Sequence, residues 1–304
     1  MNPLYKNLHN EEQRNQLIPL FEKNITRTIV AGQDYIPVTG KIIDAEDVLM
    51  GIEATMDAWL TAGRFSAKFE KDFASYMGSR YAFLVNSGSS ANLLAFYTLT
   101  SPKLGDRAIK PGDEVITVAA GFPTTVNPMV QFGCIPVFVD VNEDTFEIDI
   151  EKAEDVIDKD VKVIMPVHLF GQSVNMDAVI KLADKYNLYI IEDNAQAIGA
   201  DYNGDFKGKV GTLGHIGTTS FFPSKNLGCF GDGGALFTND DAFAKKARSI
   251  ANHGMTVRYY HDHIGVNSRL DSIQAAVLRI KLRELDNYCD ARRTAADKYD
   301  AAFA

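Results

Sequence analysis

The sequence is poor in cysteine and has no long hydrophobic run. The three cysteines (Cys134, Cys229 and Cys289) are odd in number and far apart, which suits neither a disulfide framework nor a cysteine-rich metal site. They predict a reducing, cytoplasmic compartment. No stretch approaches the roughly 18 consecutive apolar residues of a membrane helix, and the polar, acid-containing start is not typical of a secretory signal.

Positive charge is also scarce, since 31 basic residues face 40 acidic ones and the net charge is −9. This balance argues against non-specific binding to nucleic acids or membrane surfaces, both of which use basic patches. It leaves room for a locally basic pocket that takes an anionic ligand. Hydrophobic residues make up 46% of the 304 residues, enough for a sizeable core, and the length suggests roughly two domains.

The central part of the sequence alternates short β-rich runs with helical stretches. The runs are residues 81–85, 114–118, 135–139, 161–167, 188–192 and 216–222. Continuous apolar strands separated by helices predict parallel strands that are buried on both faces. The sequence therefore predicts an α/β fold with a mostly parallel sheet flanked by helices.

Three regions follow from this pattern. Residues 1–40 are polar and predict an N-terminal arm that contains a helix. Residues 41–255 form the predicted large α/β domain. Residues 256–304 begin a C-terminal region with a polar aromatic loop and a long helix.

Because open α/β sheets bind ligands at the carboxyl ends of their strands, polar motifs at those ends are candidate sites. Asn86–Ser90 follows the first run and precedes a helix, where free N–H groups and the helix dipole favour a phosphate. The alternative is that Ser89 or Ser90 is only an N-cap. The glycines of 231–234 allow a close backbone approach, or form a plain turn into a further strand.

Two charged residues lie at other strand ends. Asp193 ends an apolar run and needs a cationic or hydrogen-bonding partner, unless it only caps the next segment. Lys225 lies among aromatic and apolar residues, where a lysine has a lowered pKa and acts as a nucleophile toward carbonyls. The alternative is an exposed loop lysine. His261 and His263 are two residues apart in a polar loop, which favours surface histidines, so no metal site is predicted.

A phosphate site, a lysine and an acid at the ends of strands have a common chemical interpretation. Pyridoxal 5′-phosphate (PLP) needs an anion site for its phosphate, a lysine for its aldehyde and an acid beside its ring nitrogen. The acid keeps the ring nitrogen protonated, so that the ring withdraws electrons.

Several motifs resemble one enzyme family from about residue 40 to the end. They are N-S-G-S-S-A at 86–91, P-G-D-E-V-I at 111–116, P-V-F-V-D-V at 136–141, I-E-D-N-A-Q-A-I-G-A at 191–200, S-F-F-P-S-K-N-L at 220–227, G-D-G-G-A at 231–235 and N-S-R-L-D at 267–271. In combination they are similar to the DegT-type sugar aminotransferases, which are fold type I PLP enzymes acting on nucleotide-linked keto-sugars.

The resemblance assigns roles to individual residues. It implies that Lys225 is the Schiff-base lysine, that Asp193 is the partner of the ring nitrogen and that Gln196 lies near the phenolic oxygen. The remaining assignments are Phe122 as the aromatic residue stacked on the ring, Gly88, Ser89 and Ser220 around the phosphate with Ser90 adjacent, and Asn267 donated to the partner subunit's phosphate. The last of these implies a homodimer with shared active sites.

The resemblance also leaves alternatives. Up to about residue 165 the sequence is closer to the CDP-4-keto-6-deoxyglucose 3-dehydrases, which replace the lysine with histidine and add cysteines for an iron–sulfur cluster. The presence of Lys225 favours transamination, with L-glutamate as the implied donor and an amino-sugar for cell-surface polysaccharide or lipopolysaccharide as the product.

A third hypothesis is a catalytically impaired fragment that binds PLP or a sugar nucleotide. Family members continue into a small C-terminal domain, so the resemblance implies that this domain is truncated here. Arg64, Arg258 and Arg269 are candidates for contacts with the substrate's diphosphate, or else form surface ion pairs.

Overall fold

The computed structural model describes residues 11–25, 29–37 and 40–303. Parts of the predicted arm, residues 1–10, 26–28 and 38–39, lie outside the described residues. The helices are α1 (Glu11–Ile25), α2 (Ala45–Met56), α3 (Arg64–Met77), α4 (Gly88–Leu99), α5 (Pro123–Gln131), α6 (Ile150–Asp155), α7 (Met176–Tyr186), α8 (Asp241–Ala251), α9 (Ser272–Lys281) and α10 (Leu285–Phe303). The strands are β1 (Tyr81–Val85), β2 (Glu114–Val118), β3 (Ile135–Val139), β4 (Val161–Met165), β5 (Tyr189–Asp193), β6 (Asp201–Asn203), β7 (Lys207–Lys209), β8 (Ile216–Ser220), β9 (Gly234–Thr238), β10 (Met255–Val257) and β11 (Tyr260–His261).

The main sheet has seven strands in the order β1-β9-β8-β5-β4-β2-β3. Parallel pairing joins β3, β2, β4, β5 and β8, whereas β9 runs antiparallel to both of its neighbours, β1 and β8. The predicted mostly parallel α/β sheet is therefore confirmed. The glycine motif at 231–234 leads directly into the reversed strand β9.

Both faces of the sheet are covered by helices, as the apolar strand runs predicted. Helices α4, α5 and α8 pack on one face. On the other face, α2, α3 and α9 cover one end and α6 and α7 cover the other. In β1 the side chains alternate, with Phe83 and Val85 packed toward α4 and Ala82 and Leu84 packed toward α3.

A buried ion pair fixes the C-terminal helical region to the large domain. The Nζ atom of Lys281 lies 2.9 Å from Oδ2 of Asp47 and also donates to the carbonyl oxygen of Ile42. Desolvation raises the pKa of Asp47, and the hydrogen bond and charge of Lys281 oppose that rise. Asp47 also closes the capping box of α2 with Asp44, so one carboxylate holds both α2 and α9 in place. The domain boundary at residue 255 stays a prediction.

Within the described ranges, no helix combines the length and the apolar composition that crossing a membrane requires. The three cysteines are buried and none forms a disulfide. Burial raises the pKa of Cys229 to about 11, so this thiol is protonated near neutral pH. That state fits the interpretation of Cys229 as a small core residue.

Candidate active site

A cavity of about 700 Å³ lies at the carboxyl ends of the central strands. It contains every predicted cofactor residue except Ser90 and Asn267, namely Gly88, Ser89, Phe122, Asp193, Gln196, Ser220 and Lys225. These residues come from four separate segments of the chain. The sheet brings them together because parallel strands end at the same edge.

The N-terminus of α4 forms one wall of the cavity. Ser87, and not Ser89 or Ser90, is its N-cap, since the Ser87 hydroxyl accepts the N–H of Ser90 at 3.0 Å. The interpretation of Ser89 or Ser90 as the capping residue is therefore wrong. Gly88 and Ser89 line the cavity at the helix terminus, where N–H groups and the dipole favour an anion.

Two glycines permit the close packing behind this helix terminus. A Cβ atom on Gly88 would lie 2.7 Å from the Cβ atom of Ser220, which is closer than such atoms approach. A Cβ atom on Gly234 would lie 2.5 Å from the carbonyl carbon of Ser87. The 231–234 motif thus provides a close backbone approach as well as a turn.

Asp193, at the end of β5, is buried and accepts hydrogen bonds from three donors. Its Oδ2 atom accepts from Nδ2 of Asn92 at 3.0 Å and from Oγ1 of Thr125 at 2.7 Å. Its Oδ1 atom accepts from the N–H of Ala195 at 3.1 Å. Both carboxylate oxygens of Asp193 therefore have hydrogen-bond donors, as the burial of this acid requires.

Lys225 lies in the turn that follows β8 and is half-buried. Desolvation lowers the pKa of its amine, and the negative charge of Asp193 opposes that shift. Throughout the part of the chain that the structure describes, Nζ of Lys225 has neither a hydrogen bond nor an ion pair. An amine with a lowered pKa and no partner is available as a nucleophile.

The other two predicted ring contacts differ in how firmly they are held. Gln196 is fixed, because its Oε1 atom accepts the N–H of Phe170 at 3.0 Å. Phe122 precedes Pro123 at the start of α5, and 65% of its surface is exposed. Its ring is thus free to cover a flat ligand in the cavity.

Several predicted residues lie elsewhere. Arg64 forms ion pairs with Glu53 and Asp57, Arg258 lies over the ring of Tyr259, and Arg269 donates to Asn252. Neither these arginines nor Ser90 and Asn267 line the cavity. The donation of Asn267 to a partner subunit stays a prediction.

Sequence reasoning missed the residues that support Asp193. Asn92, Thr125 and Thr218 are at most 3% exposed and form a polar cluster beneath its carboxylate. The available signal was the polar Asn92 within the apolar stretch 91–99 of α4. The apolar residues of this stretch that are buried in the core are Ala91, Leu94, Ala95, Phe96 and Leu99. A buried amide in such a stretch needs a polar partner.

The residues present fit the cofactor predicted from the sequence. A helix N-terminus suits a phosphate, an unpaired amine suits an aldehyde, and a buried carboxylate suits a protonated ring nitrogen. The absence of a side chain at Gly88 lets Ser220 pack directly against this helix terminus. Fold and site together define a fold type I PLP-dependent enzyme.

Comparison with known proteins identifies the family. The model of the DegT/DnrJ/EryC1/StrS aminotransferase family matches residues 41–304, and the chain belongs to this family. The chain is 40% identical over 311 residues to the lipopolysaccharide biosynthesis protein RfbH of Salmonella typhimurium, covering 93% of this chain and 70% of RfbH. It is also 40% identical over 236 residues to the UDP-2-acetamido-2-deoxy-3-oxo-D-glucuronate aminotransferase of Pseudomonas aeruginosa, covering 78% of this chain and 63% of that enzyme.

Solved structures confirm the predicted fold. DesV of S. venezuelae, in complex with a ketimine intermediate, has a TM-score of 0.79 and 38% identity, covering 86% of this chain and 67% of DesV. An E. coli GDP-4-keto-6-deoxy-D-mannose-3-dehydratase with bound hydrated PLP has a TM-score of 0.79 and 28% identity, covering 86% of this chain and 70% of that one. The predicted cofactor is confirmed by this family and by these relatives.

The chain does not span the whole length of these proteins. It covers 70% and 63% of the two curated relatives described above.

Proposed function

We propose that this chain acts as a PLP-dependent aminotransferase. It would transfer the amino group of an amino acid, L-glutamate by family resemblance, to the ketone of a nucleotide-diphosphate sugar. The observation that carries the proposal is the unpaired, half-buried amine of Lys225 in the same cavity as the buried carboxylate of Asp193. The Salmonella typhimurium and Pseudomonas aeruginosa relatives support polysaccharide or lipopolysaccharide synthesis as the destination of the product.

Different residues of the chain bind the phosphate and the ring nitrogen of the cofactor. N–H groups at the start of α4, together with Ser89 and Ser220, bind the phosphate of the cofactor. Asp193 accepts a hydrogen bond from the ring nitrogen, which holds the proton there. Bound PLP supplies an electron-withdrawing ring that stabilises negative charge at the donor's α-carbon.

Lys225 has two tasks in this proposal. Its Nζ atom would hold the cofactor at the aldehyde carbon. The same amine would move a proton between the donor's α-carbon and C4′ of the cofactor. A lowered pKa suits both tasks, because each needs the unprotonated amine. Phe122 orients the ring and excludes water from its face.

A 3-dehydratase is the second candidate, because such an enzyme is among the structural relatives. The family resemblance links that chemistry to a histidine in place of the lysine, so Lys225 favours transamination. A catalytically impaired PLP-binding fragment is the third candidate.

A spectral experiment separates the three candidates. The purified chain is saturated with PLP, and its visible absorbance is followed on adding L-glutamate and then a nucleotide-diphosphate keto-sugar. We expect glutamate to bleach the band as 2-oxoglutarate is released, and the keto-sugar to restore it as an amino-sugar forms. A 3-deoxy product would identify the dehydratase, and a band that responds to no amino donor would identify an impaired fragment.

The proposal includes a cytoplasmic homodimer with shared active sites. The homodimer is supported by exposed apolar side chains in the segment that precedes Asn267, where Val257, Tyr259 and Ile264 are 61%, 75% and 81% exposed. Surfaces of this kind mark protein interfaces. Sedimentation equilibrium is expected to give about twice the chain mass of 33.5 kDa, and Ile264→Asp is expected to lower it. A monomer at all concentrations would contradict the shared site.

A further inference from the structure

The carboxylate of Asp193 has an unequal distribution of hydrogen bonds between its two oxygens. Each carboxylate oxygen offers about two acceptor positions. Oδ2 accepts from both Asn92 and Thr125, at 3.0 and 2.7 Å, and is therefore saturated. Among the residues that the structure describes, Oδ1 accepts only from the N–H of Ala195, at 3.1 Å. Oδ1 is thus the oxygen with capacity for a donor on a bound ligand.

The amide of Asn92 has only one orientation that satisfies its neighbours. Its Oδ1 atom accepts from Oγ1 of Thr218 at 2.6 Å. Its Nδ2 atom donates to Asp193 and, at 3.2 Å, to the carbonyl oxygen of Thr124. If the amide were flipped, its oxygen would face two acceptors, Oδ2 of Asp193 and the carbonyl oxygen of Thr124. Such a contact is costly because these groups are buried away from water.

The same side chain links three parts of the cavity wall. Asn92 belongs to α4, whose N-terminus carries Gly88 and Ser89. Its bond to Thr124 reaches the first turn of α5, next to Phe122. Its bond to Asp193 reaches the end of β5. The helix terminus, the aromatic residue and the acid are therefore held in one hydrogen-bonded arrangement.

We propose that Asn92 and Thr125 are positioning residues, which occupy Oδ2 of Asp193 so that Oδ1 is presented to the ring nitrogen of the cofactor. This inference rests on the proposed function, because it needs PLP in the cavity. The network is buried, and hydrogen bonds to a charged group are stronger than neutral ones. Removing one donor to Oδ2 should therefore weaken specifically the interaction between Asp193 and the cofactor's ring nitrogen.

The test compares two buried threonines that each donate one side-chain hydrogen bond. Thr125→Val removes a donor to Asp193. Thr117, on β2, donates to the carbonyl oxygen of Met165 at 2.9 Å, and Thr117→Val removes that donor. Dissociation constants are measured by equilibrium dialysis for PLP and for 1-deaza-PLP, in which carbon replaces the ring nitrogen. Thermal unfolding of the cofactor-free proteins reports any general loss of stability.

We expect Thr125→Val to weaken PLP binding about tenfold, the effect of losing a hydrogen bond to a charged group. Binding of the deaza analogue should change less than about twofold, because Asp193 has no partner on that ring. Thr125→Ser, which keeps the hydroxyl, should restore PLP affinity, and Thr117→Val should leave both affinities unchanged. Asn92→Ala should likewise weaken PLP binding more than binding of the analogue, although it also removes one of the two acceptors of the Thr218 hydroxyl, the other being the carbonyl oxygen of Glu192.

Three results would overturn the inference. Equal losses for PLP and its deaza analogue in Thr125→Val would mean that the hydroxyl has only a structural role. Indistinguishable PLP affinities for Thr125→Val and Thr117→Val would mean that it has no role in cofactor binding. Failure of the unsubstituted chain to bind PLP would instead remove the proposed function, and this inference with it.

Discussion

Lys225→Ala is expected to abolish the absorbance band of PLP that is bound as an imine of this lysine, and to slow amino transfer by a factor on the order of 10³ or more. The reason is that one amine both binds the aldehyde carbon and moves the proton. Its lowered pKa and its lack of a partner make it the candidate for both tasks. The absorbance spectrum of the PLP-saturated variant and single-turnover kinetics with L-glutamate measure the two effects.

Lys209→Ala is the matched control for this substitution. Lys209 is the last residue of β7, and its Nζ atom pairs with Asp201 at 3.0 Å. This lysine does not line the cavity. We expect its spectrum and its rate to match those of the unsubstituted chain. An imine band that is unchanged in Lys225→Ala would remove the assignment of this lysine.

Lys281→Met is expected to lower the free energy of unfolding by about 3–5 kcal/mol, the usual result of leaving one member of a buried ion pair alone. Asp47 would then be a buried carboxylate without its cation, and its Oδ1 atom already has no hydrogen-bond partner among the described residues. The pair is almost fully buried, so water does little to compensate for the loss. Urea unfolding followed by circular dichroism gives the free energy.

Two further variants show whether the unpaired charge is the cause. Combining Lys281→Met with Asp47→Leu removes both charges and should recover most of the lost stability. Lys185→Met breaks an exposed ion pair with Glu154 and should change stability little. An equal loss in the double variant would show that packing at this position, and not charge, determines the effect.

Much of the fold could be predicted from the sequence because buried parallel strands give continuous apolar runs. The runs at 81–85, 114–118 and 135–139 coincide with β1, β2 and β3. The direction of β9 could not be predicted, since a short buried run has the same composition in either direction. The polar hairpin β6–β7 has no apolar run to reveal it.

The site was predictable where its chemistry lies at strand ends. Lys225, Asp193 and Gly88 each follow a predicted strand, and the sheet edge brings them into one cavity. Asn92 was missed because its partner Asp193 is 101 residues away in the sequence. A contact of that kind depends on how α4 packs across the sheet, which local patterns do not specify.

The pairing of β1 with β9 has a consequence for how this chain acquires its structure during synthesis. Tyr81 pairs with Thr238, and Val85 with Gly234, so β1 has no neighbour in the sheet until residue 238 has left the ribosome. The anion-binding turn after β1 is completed at the same moment, because Gly234 packs against Ser87. Long-range pairings of this kind form slowly, and β1 would stay unpaired while residues 86–238 are being synthesised.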